Sequence, residues 1–434
     1  MTTTNTASFN SPVAPSLAKA WLVIICASLF FFYEFVQMTM FSSINADLMA
    51  AFNTTATRIS NLSACYFYAD VLFLFPAGII LDRFSTRKII VGAMSLCTAA
   101  TIIFSFANTY ELAMVMRLLS GVGAAFCFLS ALRLATRWFL PAHLALVTGV
   151  IVTMAMLGGM VGQAPISILV QNFGWRHTVF ADGCLGIIFI LVILWQVRDF
   201  PHGSHTKENG QELLQKLGFW QSIFSAWSNS QNWLAGFYTS FINLPILVLG
   251  ALWGTEFLVQ VHHLSQTQAS TVNMMLFFGF VIGSPILGWW SDHLGRRKLP
   301  MLLCAILSII TILVIMYSPN LTFWTSLLLF FILGFISSGQ IIGYPLIAES
   351  NPNCLIGTAT GWAAVLIMGG GAFGQPLFGW LLDLHWNGLK INNVPTYTAA
   401  DYHFAWLIFP IMFIIAFFMA LLARETYCKA YANN

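Results

Sequence analysis

Charge is what this sequence most lacks. Only 8% of its 434 residues are Asp, Glu, Lys or Arg, against about 25% in a typical soluble domain. A soluble fold that is 58% hydrophobic would expose large apolar areas and aggregate, so the composition selects a chain solvated by lipid. The net charge of +3 is too small, and the basic residues too scattered, for nucleic-acid binding. No C-x-x-C pair occurs among the eight cysteines, so neither a zinc site nor a disulfide framework is indicated. Nucleotide-binding glycine loops, H-E-x-x-H and G-x-S-x-G are missing too. ATP hydrolysis, metalloprotease and serine-hydrolase chemistry are therefore not expected. The chain reads as a non-enzyme with no cofactor and no metal.

What is abundant is long apolar runs. A helix needs about 20 mostly apolar residues to cross a bilayer, and backbone groups in lipid must pair internally, which favours helices. Twelve such runs occur, at 18–42, 59–81, 88–107, 112–136, 143–170, 177–197, 233–258, 267–290, 299–318, 322–347, 356–384 and 403–423. The expected fold is an all-α membrane protein of twelve transmembrane helices. Residues 1–17 read as a disordered polar tail, and 18–42 as a span rather than a signal peptide. With both termini cytoplasmic, fourteen Lys and Arg fall on the inner side and three on the outer. The positive-inside rule thus places the chain as a multi-pass protein of the cytoplasmic (inner) membrane.

The longest polar stretch, 198–232, divides the chain into units 18–197 and 233–424, with a tail at 425–434. Within it, Leu213, Leu214, Leu217, Trp220, Phe224 and Trp227 recur at helical spacing over Gln211 to Ser228, an amphipathic helix suited to the inner membrane surface. The two units repeat. Gly78 and Asp82 after the second run match Gly288 and Asp292 after the eighth, and Gln163 before Pro165 matches Gln375 before Pro376. The offsets, 292 minus 82 (210) and 375 minus 163 (212), are nearly equal. Transporters are commonly built from such repeats, with a solute site near midplane between them.

These residues carry a resemblance. Gly78, Asp82, Arg83, Arg87 and Lys88, and again Gly288, Asp292, Gly295, Arg296, Arg297 and Lys298, resemble the repeated cytoplasmic loop signature of the major facilitator superfamily. Arg117-Leu-Leu-Ser-Gly121-Val-Gly123 resembles its fourth-span signature. The loop copies depart from the pattern at Ser85, Thr86 and His293. Leu62 to Tyr68, Thr136 to Pro141, Gly174-Trp-Arg176 and Leu252-Trp-Gly254 resemble a bacterial branch that includes phagosomal importers of amino acids or nucleosides and related siderophore importers. The resemblance implies two pseudo-symmetric six-helix bundles, the major facilitator fold, working by alternating access. It also implies that Asp82 caps the start of the eleventh span and Asp292 that of the fifth when the cytoplasmic side is closed. Gly78, Asp82, Arg83, Arg87, Gly288, Asp292, Arg296 and Arg297 would then be conformational gating residues.

An ionisable group inside a span is costly unless paired or hydrated, which makes it a functional candidate. Glu34, Asp70, Arg117 and Glu256 are such groups. At 1.5 Å per residue, Glu34 and Arg117 share a depth roughly 21–22 Å above the inner face and are expected to interact. Three readings stay open. Glu34 or Asp70 carries a coupling proton; Arg117 binds a solute carboxylate while an acid binds its amine; or the charges form a structural pair. Glu256 reads either as a buried group or as one facing outer water. Gln37, Tyr66, Gln163, Asn243, Asn273, Gln340, Tyr344 and Gln375 complete a candidate cavity, or serve as interhelical hydrogen bonds. The function expected is proton-coupled uptake of a small polar organic solute such as an amino acid or small peptide. A siderophore or nucleoside importer, an efflux antiporter and a non-transporting membrane sensor are the alternatives. The partners expected are the solute, protons and membrane lipid, with no nucleic acid, and the chain reads as a monomer.

Overall fold

The structure, a computed structural model, describes residues 17–139, 143–201, 219–318, 321–352, 355–391 and 394–429. Among the described residues eleven helices are long and apolar enough to cross a membrane. Together with Ala56–Arg83, whose 28 residues reach about 42 Å, they make twelve spans. They are α1 (Leu17–Phe52), α2 (Ala56–Arg83), α3 (Thr86–Ser105), α4 (Tyr110–Trp138), α5 (Leu146–Phe173), α6 (Trp175–Gln196), α7 (Ser230–His262), α8 (Gln266–Leu294), α9 (Lys298–Tyr317), α10 (Phe323–Glu349), α11 (Ile356–His385) and α12 (Ala399–Leu422). Of the amphipathic linker helix, Phe219–Ser228 is described, with Phe224 and Trp227 exposed; Leu213, Leu214 and Leu217 lie outside the described residues. A two-residue antiparallel hairpin, Lys390–Ile391 with Val394–Pro395, joins α11 to α12. The molecule thus has a hairpin end and a linker end.

Several runs that read as uninterrupted are broken, and proline accounts for two of the breaks. α5 is interrupted at Gly162 and Gln163, and Pro165 then opens its second segment, where its missing N–H costs nothing. In α7, Pro245 precedes a π-helical stretch, Ile246–Trp253. The Asn243 carbonyl takes up the loosened turn by accepting from the N–H groups of both Ile246 and Leu247. Pro376, by contrast, sits within the continuous helix α11.

The twelve helices form two pseudo-symmetric six-helix bundles, α1–α6 and α7–α12, and the same contacts recur in each. A Cβ placed on Gly158 of α5 would stand 2.1 Å from the Phe32 carbonyl of α1, and one on Gly370 of α11 would stand 2.7 Å from Ser240 of α7. Gly162 lies against Val36, Thr39 and Met40, and Gly374 against Leu244 and Val248. The Gln163 amide donates to the Thr39 carbonyl (3.3 Å), and the Gln375 amide to the Leu247 carbonyl (2.7 Å). In each pair the α5 residue and its α11 equivalent are 212 apart, and the α1 and α7 partners are 208 apart. Small residues let these backbones approach closely, as membrane helix pairs require when lipid is as apolar as Leu.

Candidate functional site

The charged centre lies inside the α1–α6 bundle. α1 is long enough to hold Glu34 and Gln37 one turn apart deep in the bilayer, both buried. Tyr66 of α2 donates its hydroxyl to Glu34 Oε2 at 3.2 Å, and the Cys97 thiol of α3 lies beside the same carboxyl. Arg117 of α4 is 2% exposed. Its Nη1 donates to the Gln37 carbonyl at 3.1 Å, while its guanidinium rests on the Phe41 ring (4.0 Å) and the Tyr66 ring (4.7 Å). Cation–π contact of this desolvated kind is worth about 2 kcal/mol. Glu34 and Arg117 therefore share one cluster, joined through Tyr66, without an ion pair within 4.0 Å. Asp70 of α2 is buried within electrostatic reach of Glu34.

A further acid completes the cluster. Asp182 of α6 is 5% exposed and accepts a hydrogen bond from the Gln37 amide. It escaped the sequence reading because it lies near the start of its span, although an acid within an apolar run is the same signal that singled out Glu34. The charged candidates thus gather within one bundle, among α1, α2, α3, α4 and α6, rather than between the two.

Gln163 and Asn273 do meet, and they do so between the bundles. The Gln163 amide donates to the Gly250 carbonyl at 2.6 Å, and Asn273 Nδ2 donates to Gln163 Oε1 at 2.9 Å and to Ser42 Oγ at 3.0 Å. Ser42 donates to Thr255 (2.9 Å), Asn45 to the Leu252 carbonyl (3.1 Å), and Trp253 Nε1 to Ser60 (3.0 Å). Two rings plug the same interface symmetrically. Phe67 of α2 packs on Gly371 of α11, and Phe277 of α8 packs on Gly159 of α5 and Gly250 of α7. The rings are 210 apart in sequence and their principal glycines 212. Neither the serines and threonines nor the two phenylalanines stand out in the sequence, where Phe occurs 39 times; the repeat offset alone would have found the rings.

At the hairpin end, Asp383 of α11 reaches across to the start of α2. It accepts from Ala56 N (3.2 Å), Thr57 N (2.8 Å) and Tyr397 Oη (2.7 Å). Burial, then the adjacent Asp383 carboxylate, hold the Tyr397 phenol well above its ordinary pKa, so it remains a donor. Every hydrogen bond between the bundles among the described residues lies in the half of the spans toward this end. Toward the linker end, a Cβ on Gly149, Gly288 or Gly361 would meet nothing within 4 Å.

The remaining candidates are not gathered at this interface. Asn243 and Gln375 are buried in the α7–α12 bundle, and Gln340 and Tyr344 are half-buried on α10. Glu256 is buried near Asp47 of α1 rather than facing water, and accepts from Gln260 at 3.1 Å. Among the loop residues, Arg83 and Arg296 are exposed and Gly78 and Gly288 half-buried. Nothing is described for the Asp82 side chain. Among the described residues Asp292 makes no contact with α5; it pairs with Arg297, 2.5 Å away. Arg297 also binds Glu349 at 2.7 Å. In each bundle, an acid beyond the last span caps the third span. Asp199 accepts from Arg87 N (2.8 Å), and Glu425 from Arg297 N (2.8 Å) and Lys298 N (3.0 Å). Arg87 Nη2 also donates to the Leu194 carbonyl. Among the described residues no group of three or more His, Cys, Asp or Glu is placed to hold a metal.

Comparison with known proteins gives the family. The family model described as Major Facilitator Superfamily matches residues 23–257 and 246–429. A probable hexose phosphate transport protein of Chlamydia muridarum is 23% identical, over 86% of this chain and 88% of its own. The membrane sensor protein UhpC of Escherichia coli is 22% identical, over 81% of this chain and 83% of its own. A solved bacterial homolog of the human lysosomal transporter Spinster, inward-facing and unoccupied, superposes with a TM-score of 0.76 at 16% identity, covering 94% of this chain and 97% of that one.

Proposed function

This chain belongs to the Major Facilitator Superfamily, and from that premise we propose that it carries a small polar organic solute across the cytoplasmic membrane by alternating access, driven by protons. The observation that carries this reading is the one-sided interface. Two bundles whose shared hydrogen bonds, among the described residues, lie in the half of the spans toward the hairpin end are poised to rock about midplane. With the basic loops cytoplasmic, this is the inward-open state, and both termini lie inside.

Charge supports a neutral or zwitterionic solute over a phosphorylated one. Arg117 is the one Lys or Arg lying well inside a span, and it is occupied by the Gln37 carbonyl and two aromatic faces. Arg117 is buried within the α1–α6 bundle, so a phosphate dianion brought between the bundles would, among the described residues, meet no cation at that depth, at a cost of several kcal/mol. The hexose phosphate named for the Chlamydia relative is therefore a poor guide to this cargo. An amino acid or small peptide fits better, with a nucleoside or siderophore as the second class and efflux as the other direction. Likeness to a membrane sensor keeps a signalling role as the competing reading, and solute flux separates the two.

Uptake into proteoliposomes tests both. Labelled amino acids, dipeptides, nucleosides, iron chelates and glucose 6-phosphate are offered with and without an inward proton gradient. We expect gradient-dependent accumulation of a member of the uncharged or zwitterionic classes, and Glu34→Gln to abolish accumulation while leaving exchange measurable. Flux of glucose 6-phosphate alone would overturn the solute class, and accumulation by Glu34→Gln equal to the parent would remove Glu34 from coupling.

A further inference from the structure

The core of the α1–α6 bundle holds three acids, Glu34, Asp70 and Asp182, and one cation, Arg117, all buried. One guanidinium can offset one carboxylate. The other two, if ionised, would be bare charges in a membrane interior, each costing several kcal/mol. Protons are the cheapest remedy for this imbalance, so the cluster holds them.

The acids are also staged. Counted from the hairpin end at 1.5 Å per residue, Asp182 lies roughly 10 Å deep on α6 and Asp70 roughly 21 Å deep on α2. Glu34 is within electrostatic reach of both. Between Asp182 and Glu34 lies polar material the charge cluster does not otherwise use. The Tyr33 hydroxyl faces both acids and Thr101. It sits with Thr98 Oγ1 over Gly186, where a Cβ would stand 2.9 Å from the phenol and 2.5 Å from the threonine. Thr98 Oγ1 and Arg117 Nε and Nη2 are buried without a partner. A cavity of about 10 Å³ opens among Gln37, Thr101, Arg117 and Ser120, with apolar walls from residues such as Phe41 and Phe104, close to the ~10–15 Å³ one water needs. Thr101 and Ser120 donate to the Cys97 and Met116 carbonyls, so their lone pairs remain free to accept from a water that in turn accepts from Arg117.

We propose that Asp182 is a second proton-holding acid, joined to Glu34 through the Tyr33 hydroxyl and the small pocket beside it between Gln37, Thr101 and Arg117. The proposal rests on the proton-coupled reading and extends it from one carboxyl to two. A proton leaving Asp182 Oδ enters the chain of hydroxyls and water, each of which accepts one and releases one, and ends on Glu34 Oε. Asp182 is left a carboxylate, Glu34 a neutral acid, and the total charge is unchanged. The groups that face Asp182 are Tyr33, Glu34 and Gln37 on α1, with Thr98 of α3 one turn further along α6, against Gly186. Its own helix neighbour Arg176 is engaged with the Ser105 and Ala107 carbonyls.

Infrared difference spectroscopy of the whole protein in liposomes, titrated with acid and base alone, reads protonated carboxyls without any solute. We expect the buried carboxylic-acid band of the parent to lose about half its titrating intensity in Asp182→Asn, and Glu34→Gln to shift the titration of what remains, since interacting acids titrate as a pair. Asp182→Glu should restore the band. Asp182→Asn protein that keeps the full band with an unchanged titration overturns the proposal. Should Asp182→Asn fail to insert, Tyr33→Phe with Thr101→Val keeps both acids and interrupts the bridge; independent titration of the acids supports the proposal, and unchanged coupling overturns it. A protein with the expected bands but no gradient-driven uptake would sink the transport reading and leave this one standing.

Discussion

Asp383→Asn should release the closed end of the molecule. The carboxylate accepts two backbone N–H groups at the start of α2 and the Tyr397 hydroxyl, and all the α2 contacts cross between the bundles. A negative charge at a partly buried helix N-terminus contributes up to ~2 kcal/mol, and hydrogen bonds to charged groups ~1.5–3 kcal/mol each. Asn keeps one acceptor oxygen and loses the charge, so a loss of about 2 kcal/mol is reasonable, roughly 30-fold in the balance between the two end states. Asp383→Ala removes every bond and should exceed a hundredfold, or about 3 kcal/mol. The assay is the labelling rate of a cysteine at Thr255, which is fully buried in the interface, by a membrane-impermeant maleimide in a cysteine-free background. The rate follows the population of the state open at the hairpin end. A rate in Asp383→Asn within twofold of the parent would refute the reasoning, because the latch would then contribute nothing to closure.

Two further outcomes follow from the same geometry. Phe67→Ala and Phe277→Ala each remove a ring that fills the opposite bundle's glycine notch, and each should raise the same labelling rate by at least tenfold, given a ~3–5 kcal/mol cost of deleting a buried Phe; an effect of one ring without the other would contradict their equivalence. Glu349→Ala strips Arg297 of its bidentate partner and Thr426 of its acceptor, leaving a mostly buried guanidinium on Asp292 and the Ser291 hydroxyl, and should lower detergent-state stability by ~2–4 kcal/mol, read as a fall in thermal midpoint. An unchanged midpoint would mean that the tail's contacts carry no load.

The number of spans and the twofold repeat were legible because bilayer solvation imposes them locally. Twenty apolar residues must be helical whatever their neighbours, and duplicated loops keep their spacing. Intramembrane charge likewise marked Glu34, Asp70 and Arg117 without any structure, since burying a charge is costly wherever it sits. Partners were not legible. Equal depth placed Glu34 beside Arg117, but helix rotation turned the guanidinium onto Phe41, Tyr66 and the Gln37 carbonyl, and brought in Asp182 from a helix 145 residues away. Depth is a one-dimensional quantity that the chain sets by counting residues; which face each helix shows its neighbours is set by packing. The tertiary structure alone therefore decided that the acids gather inside one bundle, that Phe67 and Phe277 meet glycines of the opposite bundle, and that Asp383 latches α2. Each of these depends on side chains far apart in sequence that only close helix approach brings within hydrogen-bond or van der Waals reach.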